Sequence, residues 1–197
     1  MIESQQEYEE FLEADRISLD RIYTRLSRIL DDIWTFQRAL RRLEYLANTG
    51  RGGPARLIAE YQYRRLSHKF GFTIPLNVFG PGLSIAHYGT IVVNGGARVG
   101  ANCRLHACVN IGTAAGSRAA APRIGDNCYI GPGAKIFGPI IIGDETAIGA
   151  NAVVNKDFPE GHGTLGGIPA RKISDTTSDG LLIRGYSRSY ADRQLPG

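Results

Sequence analysis

An aliphatic residue returns every six residues between Val93 and Val154, usually with a small residue beside it. The aliphatic positions form two runs, namely Val93, Val99, Leu105 and Ile111, and then Ile124, Ile130, Ile136, Ile142, Ile148 and Val154. Glycine follows six of these ten residues. A period of six matches neither the 3.6 of a helix nor the 2 of an open strand; it is typical of a parallel β-helix whose triangular coils contain three hexapeptides each. We therefore predict a β-helix with the aliphatic side chains inside the prism.

A loop interrupts the repeat between the two runs. Ile111 and Ile124 lie 13 residues apart, which is one hexapeptide plus seven residues. The additional chain is predicted to leave the prism at residues 113–121, which are mostly alanine, glycine and serine. Loops that project from a rigid scaffold commonly carry function, so the sequence places a candidate site near this loop.

Upstream of the repeat, the apolar residues change to helical spacing. Residues 3–13 predict a short acidic helix, and residues 19–47 predict an amphipathic helix whose apolar residues alternate between three- and four-residue steps. Residues 48–53 end that helix, and Pro54 suits the first turn of a further helix that runs to about Lys69. We expect these helices to pack against each other or across subunits.

These patterns divide the chain into three parts and predict an α+β fold. Residues 1–70 are predicted to form an α-helical oligomerisation region, residues 71–173 the β-helix, and residues 174–197 a polar tail that is mobile or lies on a neighbouring subunit. Glycine and proline corners in residues 73–87 indicate an imperfectly patterned first coil. The hexapeptide pattern fades after Val154, where residues 155–159 predict an exit turn.

Composition excludes several classes of protein. The chain has 197 residues, 43% hydrophobic and 21% charged, so it is not disordered as a whole, and its net charge of +4 shows no focused patch for nucleic acid. The N-terminus is polar and acidic, and no apolar run reaches the length of a membrane span. Cys103, Cys108 and Cys128 include no Cys-x-x-Cys pair, as free thiols in a reducing compartment would. We therefore expect a cytoplasmic protein.

Two histidines are candidate catalytic groups. His87 lies six residues before Val93, where the repeat would otherwise place an aliphatic side chain. A histidine in a core costs stability unless it is paired, so His87 is either a satisfied structural group or a base placed at an edge. His106 follows 19 residues later, one coil of 18 plus one, so the two rings are predicted to meet on adjacent coils. Two imidazoles near the base of a loop favour a site over a core.

Several motifs in residues 70–173 resemble those of serine acetyltransferases, which belong to the hexapeptide-repeat acyltransferase superfamily. In chain order they are IAHYGTIVV from Ile85, VNIGT from Val109, PRIGD from Pro122, IGPGAKI from Ile130 and GIPAR from Gly167. Their order and spacing, with a loop at the same place, make the resemblance specific. It implies a left-handed parallel β-helix that transfers acetyl from acetyl-CoA to a hydroxyl, with acetyl-CoA as co-substrate and neither a metal nor a bound cofactor.

The resemblance also implies roles for individual residues. His87 matches the general base that takes the proton from the acceptor hydroxyl, and backbone N–H groups near Gly112 and Thr113 would stabilise the oxyanion. His106 and Asn110 are the candidate contacts for the acceptor. The residues expected along the CoA path are Thr113, Ala134, Gly149, Ala150, Arg171 and Lys172, the last two near the CoA phosphates.

Departures from the family pattern fall on polar positions. Ala86 stands where the family has an aspartate before the base, and Phe72 stands where it has the carboxylate that orients the base. Ala120 and Ala121 align with the Arg-His pair that contacts the amino acid substrate. Two acceptors therefore stay open, L-serine and a sugar hydroxyl as in O-acetylation of capsular polysaccharide.

Other functions and partners follow from the same comparison. A zinc hydro-lyase on this solenoid would need two histidines about five residues apart plus a third, and the sequence has no such pair. A non-catalytic trimeric scaffold is the other alternative. Family members act as trimers because their active sites lie between subunits, so we expect a homotrimer or a dimer of trimers. Residues 195–197 lack the C-terminal isoleucine that such enzymes insert into cysteine synthase, so no complex with that enzyme is expected.

Overall fold

The computed structural model describes residues 1–20, 31–116 and 120–187. Within these ranges, three helices precede a series of short strands, and none of the helices is long and apolar enough to cross a membrane. The helices are α1 (Gln5–Ser18), α2 (Asp32–Asn48) and α3 (Pro54–Phe70). The strands are β1 (Phe72–Thr73), β2 (Ser84–Ile85), β3 (Ile91–Val93), β4 (Arg98–Val99), β5 (Arg104–Leu105), β6 (Asn110–Gly112), β7 (Arg123–Ile124), β8 (Tyr129–Ile130), β9 (Lys135–Phe137), β10 (Ile141–Ile142), β11 (Thr146–Ile148), β12 (Val153–Val154), β13 (Gly163–Gly167) and β14 (Ala170–Ser174).

Capping side chains set where the first two helices begin. Ser4 and Asp31 each accept a hydrogen bond from a backbone N–H in the first turn of the helix that follows. The prediction of one helix from residue 19 is therefore wrong at its start, because Leu19 caps the end of α1, Asp20 has a φ of 48°, and α2 begins only after Asp31. The middle of the predicted apolar seam, residues 21–30, lies outside the described residues.

The third helix begins and ends where the sequence predicts. Pro54 occupies its first turn, and Gly71 caps its end with a φ of 72°, which favours glycine. The first helix was predicted to end near residue 13 but runs to Ser18, because Phe11 and Ala14 continue a buried face that packs with α2.

The strands form the three faces of a parallel β-helix. The faces are a five-stranded sheet in the order β1-β3-β6-β9-β12, a three-stranded sheet β10-β7-β4, and a six-stranded sheet β14-β13-β11-β8-β5-β2. Every pairing between these strands is parallel except the final hairpin of β13 and β14. Each coil thus contributes one strand to each face in turn, and the fold is the predicted α+β arrangement with a left-handed parallel β-helix.

The register of the strand pairs locates the loop. Val92 pairs with Asn110, 18 residues later, as a coil of three hexapeptides requires. Asn110 pairs with Lys135, 25 residues later. The additional seven residues confirm the predicted interruption, because the strands on either side stay in step while the additional chain leaves the prism. Residues 117–119 of this loop lie outside the described residues.

The repeating aliphatic side chains fill the prism as predicted. All ten of them, from Val93 to Val154, are at most 4% exposed. Cys103 and Cys128 occupy small corner positions in the same core, and burial raises the pKa of the Cys128 thiol to about 12. All three cysteines are free. The stacked apolar side chains supply the main stabilisation of a solenoid, since each coil covers the next.

The β-helix continues past the point where the sequence pattern fades. Phe158 forms a parallel bridge with Ile142, and β13 pairs with β11. The predicted exit turn at residues 155–159 is therefore wrong, because backbone pairing maintains the coil without the aliphatic signature. The chain leaves the solenoid only at the hairpin of β13 and β14.

Residues 175–187 return along one corner of the β-helix to α1. Tyr186 exchanges two hydrogen bonds with the side chain of Asn102, at 2.8 and 2.9 Å, and the N–H of Gly185 donates to the Ser18 hydroxyl at 3.0 Å. Ser178 is fully buried beneath this segment. The prediction of a mobile or neighbour-bound tail is wrong for these residues, since the chain holds them itself; residues 188–197 lie outside the described part.

The helices and the first coil share one hydrophobic core. Phe36 and Leu40 of α2 belong to the same buried cluster as Phe72, Ile74 and Leu83 of the first coil. This packing fixes the position of the first coil against the helices, and the candidate site starts from that coil.

A buried ion-pair network joins the same parts. Arg41 of α2 is 0% exposed and donates to the carboxylates of Asp15, at 2.8 Å, and Glu44, at 3.0 Å. It also donates to the backbone carbonyls of Phe79 at 2.9 Å and Gly80 at 2.7 Å. One guanidinium therefore links α1, α2 and the first coil.

Candidate functional site

His87 lies in the turn between β2 and β3, with its side chain exposed. It does not take an inward aliphatic position, as the repeat suggested, because Ile85 fills that position with 0% exposure and pairs with Leu105. Ile85 and Val93 lie eight residues apart instead of six, so the additional residues form a turn that carries His87 out of the prism. Of the two sequence interpretations, this position favours a group at an edge, where a substrate can reach it.

His106 follows β5 directly, on the coil next to that of His87. The centroids of the two rings are 5.8 Å apart and their planes are tilted by 55°, which confirms that the rings meet. Tyr129, at the start of β8, packs on His106 at 5.0 Å. We call His87, His106 and Tyr129 the ring column. Sequence reasoning missed Tyr129; the signal was the 25-residue register that pairs Arg104 with Tyr129.

The surroundings of His106 favour its neutral form. Burial, the Arg104 guanidinium and His87 all lower the pKa of His106 below its usual value, burial most of all. Its Nε2 atom is buried and has no hydrogen-bond partner among the described residues. A neutral imidazole can give one hydrogen bond and accept one, so this nitrogen is available to a ligand or a neighbouring side chain.

Aromatic side chains pack beneath the turn that carries His87. Phe72 is 3% exposed and contacts the rings of Phe36, at 5.0 Å, and Phe70, at 5.8 Å. Phe70 in turn stacks on Tyr88 at 5.3 Å. The position at which the resemblance places the orienting carboxylate is therefore part of the hydrophobic core.

Asn110, Gly112 and Thr113 lie at the root of the loop, beside the five-stranded face. Asn110 and Gly112 belong to β6, and all three residues are half-buried. The carbonyl of Gly112 accepts a hydrogen bond from the N–H of Gly138 at 3.2 Å. His87 and His106 instead border the six-stranded face, so one chain distributes the predicted catalytic residues over two faces.

The residues predicted for the CoA path are mostly spread along the six-stranded face. Gly149 is half-buried and Ala150 exposed, both just after β11. Arg171 and Lys172 are exposed on β14, the last strand of that face. Ala134 is 0% exposed, so it offers no atom to a ligand in the groove, and its predicted contact is wrong because its side chain belongs to the core.

The described residues contain no group of three or more histidine, cysteine, aspartate or glutamate side chains that could hold a metal ion. A zinc hydro-lyase needs three such ligands at one place. These parts of the chain therefore give that alternative no support.

Comparisons with known proteins identify the repeat. The family described as bacterial transferase hexapeptide (six repeats) matches residues 121–156. Serine acetyltransferase of Mycobacterium tuberculosis is 36% identical over 105 residues, which cover 52% of this chain and 44% of that protein. Serine acetyltransferase of Buchnera aphidicola is 33% identical over 143 residues, which cover 71% of this chain and 50% of that protein. The chain spans about half the length of the curated relatives it matches.

Solved structures extend the likeness to most of the chain. A Brucella abortus serine acetyltransferase in complex with coenzyme A aligns with a TM-score of 0.69 and 30% identity, over 87% of this chain and 70% of that one. A Neisseria gonorrhoeae serine acetyltransferase in complex with serine aligns with a TM-score of 0.65 and 30% identity, over 84% of this chain and 67% of that one. The chain therefore belongs to the serine acetyltransferase-like members of the hexapeptide-repeat acyltransferase superfamily.

Proposed function

We propose that the chain is an acetyl-CoA-dependent O-acetyltransferase of the serine acetyltransferase type, with His87 as general base. The observation that carries this proposal is the exposed His87 at a corner of a β-helix of this family. A His87 nitrogen takes the proton of the acceptor hydroxyl while the hydroxyl oxygen attacks the thioester carbonyl. N–H groups near Gly112 and Thr113 stabilise the oxyanion. The intermediate then collapses to the acetyl ester, and His87 gives its proton to the departing CoA thiolate.

The six-stranded face offers a path for acetyl-CoA as co-substrate. His87 lies beside β2 at one edge of this face, and Arg171 and Lys172 lie on β14 at the other. Neighbouring strands are about 4.8 Å apart, so the six strands place these edges about 24 Å apart. That length suits an extended pantetheine arm that passes Gly149 and Ala150, with the CoA phosphates at the two cations. The coenzyme A complex of the Brucella abortus relative supports the same ligand.

Two acceptors are compatible with this site. L-serine comes first, because the relatives are named serine acetyltransferases and one is in complex with serine. A sugar hydroxyl comes second, and one observation favours it: Ala86, Ala120 and Ala121 are half-buried alanines where the family has charged side chains. Without those charges, the ammonium and carboxylate of serine lose partners, whereas a sugar hydroxyl needs neither.

Release of free CoA from acetyl-CoA, with L-serine and with a panel of sugars, tests the proposal. We expect turnover with at least one acceptor and a loss of about 100-fold or more in kcat for His87→Ala. His68→Ala is the matched control, because His68 is exposed on α3. Turnover with sugars alone would assign the saccharide acceptor. No turnover with any acceptor would contradict the transferase and favour the non-catalytic trimeric scaffold.

We further propose a homotrimer, or a dimer of trimers, in the cytoplasm. The distribution of predicted catalytic residues over two faces supports a trimer, because a neighbouring subunit can bring the Gly112 corner against the His87 corner of the next. A mass in solution equal to three or six chains is expected, and a monomer would contradict the shared site. The three free cysteines, two of them buried, support a reducing compartment.

A further inference from the structure

The general base of the proposed reaction has no carboxylate at the position from which the family orients it. Phe72 is there, 3% exposed and packed among aromatic rings. A base that moves a proton needs a fixed ring and a defined tautomer. The polar side chain that contacts His87 is instead His106, whose ring centroid lies 5.8 Å away.

His106 is itself fixed by its neighbours. Tyr129 packs on it at 5.0 Å with the ring planes 57° apart, and the next coil holds Tyr129 in β8. The Nε2 atom of His106 is buried without a hydrogen-bond partner among the described residues. Buried polar atoms normally have a partner, and catalytic hydrogen bonds that are long in a free enzyme tighten in the reacting complex. The missing partner is therefore expected to form during the reaction.

We propose that His106 is the positioning residue for His87 and that Tyr129 fixes the ring of His106, an inference that rests on the function proposed above. An N–H of His87 donates to a nitrogen of neutral His106, which leaves the other His87 nitrogen unprotonated towards the acceptor hydroxyl. When His87 takes the hydroxyl proton, the same bond becomes charge-assisted and therefore stronger. The proton passes from the acceptor to His87 and then to the CoA thiolate, while His106 keeps its own single proton.

The charges around His106 suit this arrangement. Arg104, on the same strand, and His87, on the preceding coil, both disfavour a second proton on His106, and burial acts in the same direction. His106 therefore remains able to accept a hydrogen bond, and the exposed His87 is the ring that takes up the proton. The third neighbour, Tyr129, contributes packing.

Two substitutions at position 106 separate positioning from packing. His106→Phe keeps a ring against Tyr129 but has no nitrogen, whereas His106→Gln restores a group that can accept a hydrogen bond. We expect His106→Phe to lower kcat about 10- to 100-fold, as loss of an orienting partner does, while both KM values stay within about twofold. Its pH profile of kcat/KM should move to lower pH because protonated His87 loses its acceptor, and His106→Gln should recover part of kcat. His68→Phe is the matched control.

The possible outcomes distinguish this inference from the proposed function. An unchanged kcat and pH profile in His106→Phe would overturn it, and so would a rise in the acceptor KM alone, which would assign His106 to acceptor binding. NMR titration of the His87 ring needs no acceptor: we expect a lower His87 pKa in His106→Phe and an unchanged one in His68→Phe. Equal His87 pKa values in all three proteins would reject the inference, whereas absence of turnover in the wild type counts against the proposed function alone.

Discussion

Arg41 is the residue on which the junction between the helices and the first coil depends. Burial raises the pKa of both Asp15 and Glu44, while the guanidinium beside them acts in the opposite direction. Asp15 also accepts hydrogen bonds from the N–H groups of Gly82 and Leu83, each at 2.8 Å. Every member of this buried network depends on the others for its partners, so removal of one member leaves charges without compensation.

Arg41→Met is expected to lower the free energy of unfolding by about 3 to 5 kcal/mol, because two buried carboxylates lose their counter-charge. Arg42→Met is the matched control at the exposed neighbouring position, where a change below about 0.5 kcal/mol is expected. Urea denaturation followed by circular dichroism measures both values. Equal losses in the two variants would show that the network does not stabilise the junction.

The loss in Arg41→Met should also depend on pH. Without the guanidinium, burial holds the folded-state pKa values of Asp15 and Glu44 above those of the unfolded chain. The folded carboxyls then keep protons that the unfolded chain has released, so the free energy of unfolding falls as pH rises through the folded-state pKa values. The variant should therefore be more stable near about pH 5 than near about pH 8, and the opposite trend would contradict this account.

At the scale of single residues, coil length predicted which rings meet but not which way they face. An 18-residue coil was sufficient to bring His87 and His106 together. The turn that displaces His87 outward adds residues that no period describes, and the pairing that brings Tyr129 to His106 crosses the loop. Ala134 shows the converse, since a corner residue that looks suitable for a groove is buried when the repeat places it inside.

At the scale of the elements, the coils stack so closely that some corners leave no room for a side chain. A Cβ atom on Gly143 would meet the carbonyl of Pro159 and lie 2.6 Å from the N atom of Gly161. Both are backbone atoms of the next coil, so no side-chain rotation relieves the contact. Glycine after the aliphatic residue is therefore a packing requirement here, and not a matter of backbone conformation.

Gly143→Ala is expected to lower the free energy of unfolding by about 1 to 3 kcal/mol, because the two coils must separate to admit the methyl group. Gly52→Ala is the matched control, since a Cβ there meets nothing within 4 Å. Thermal denaturation of both variants gives the difference. An unchanged midpoint in Gly143→Ala would mean that the coils are not packed as closely as the structure has them.

The elements were predictable where one period persists and not where a cap or a backbone pairing decides. The six-residue period was enough for the β-helix and its loop, because side-chain burial repeats with every coil. The break between α1 and α2 depends on the Asp31 cap, which an apolar seam with the same spacing on both sides conceals. The coil after Val154 depends on backbone hydrogen bonds, such as that from Phe158 to Ile141, which leave little trace in the sequence.

At the scale of the whole molecule, the segment 175–187 joins the last coils to the first helix. Asn102, Asn127 and Glu145 form a ladder of side chains along one corner, with two hydrogen bonds of 2.8 Å. Arg184 pairs with Glu145 at 2.7 Å, and Tyr186 bonds to Asn102. The tail thus crosses successive coils and fastens to the ladder that they present.

Truncation tests whether this segment stabilises the molecule as a whole. A chain that ends at Ser174 loses the hydrogen bonds of Ser178, Gly185 and Tyr186, each worth about 1 kcal/mol, so its melting temperature should fall by about 5 to 10 °C. A chain that ends at Ser187 keeps these contacts and is the matched control. Amide hydrogen exchange should rise most in α1, because Ser18 loses its partner at the far end of the segment. Equal melting temperatures and equal exchange in the two truncated chains would show that the tail only lies on the surface, whereas exchange confined to α1 would identify it as the link between the two ends of the fold.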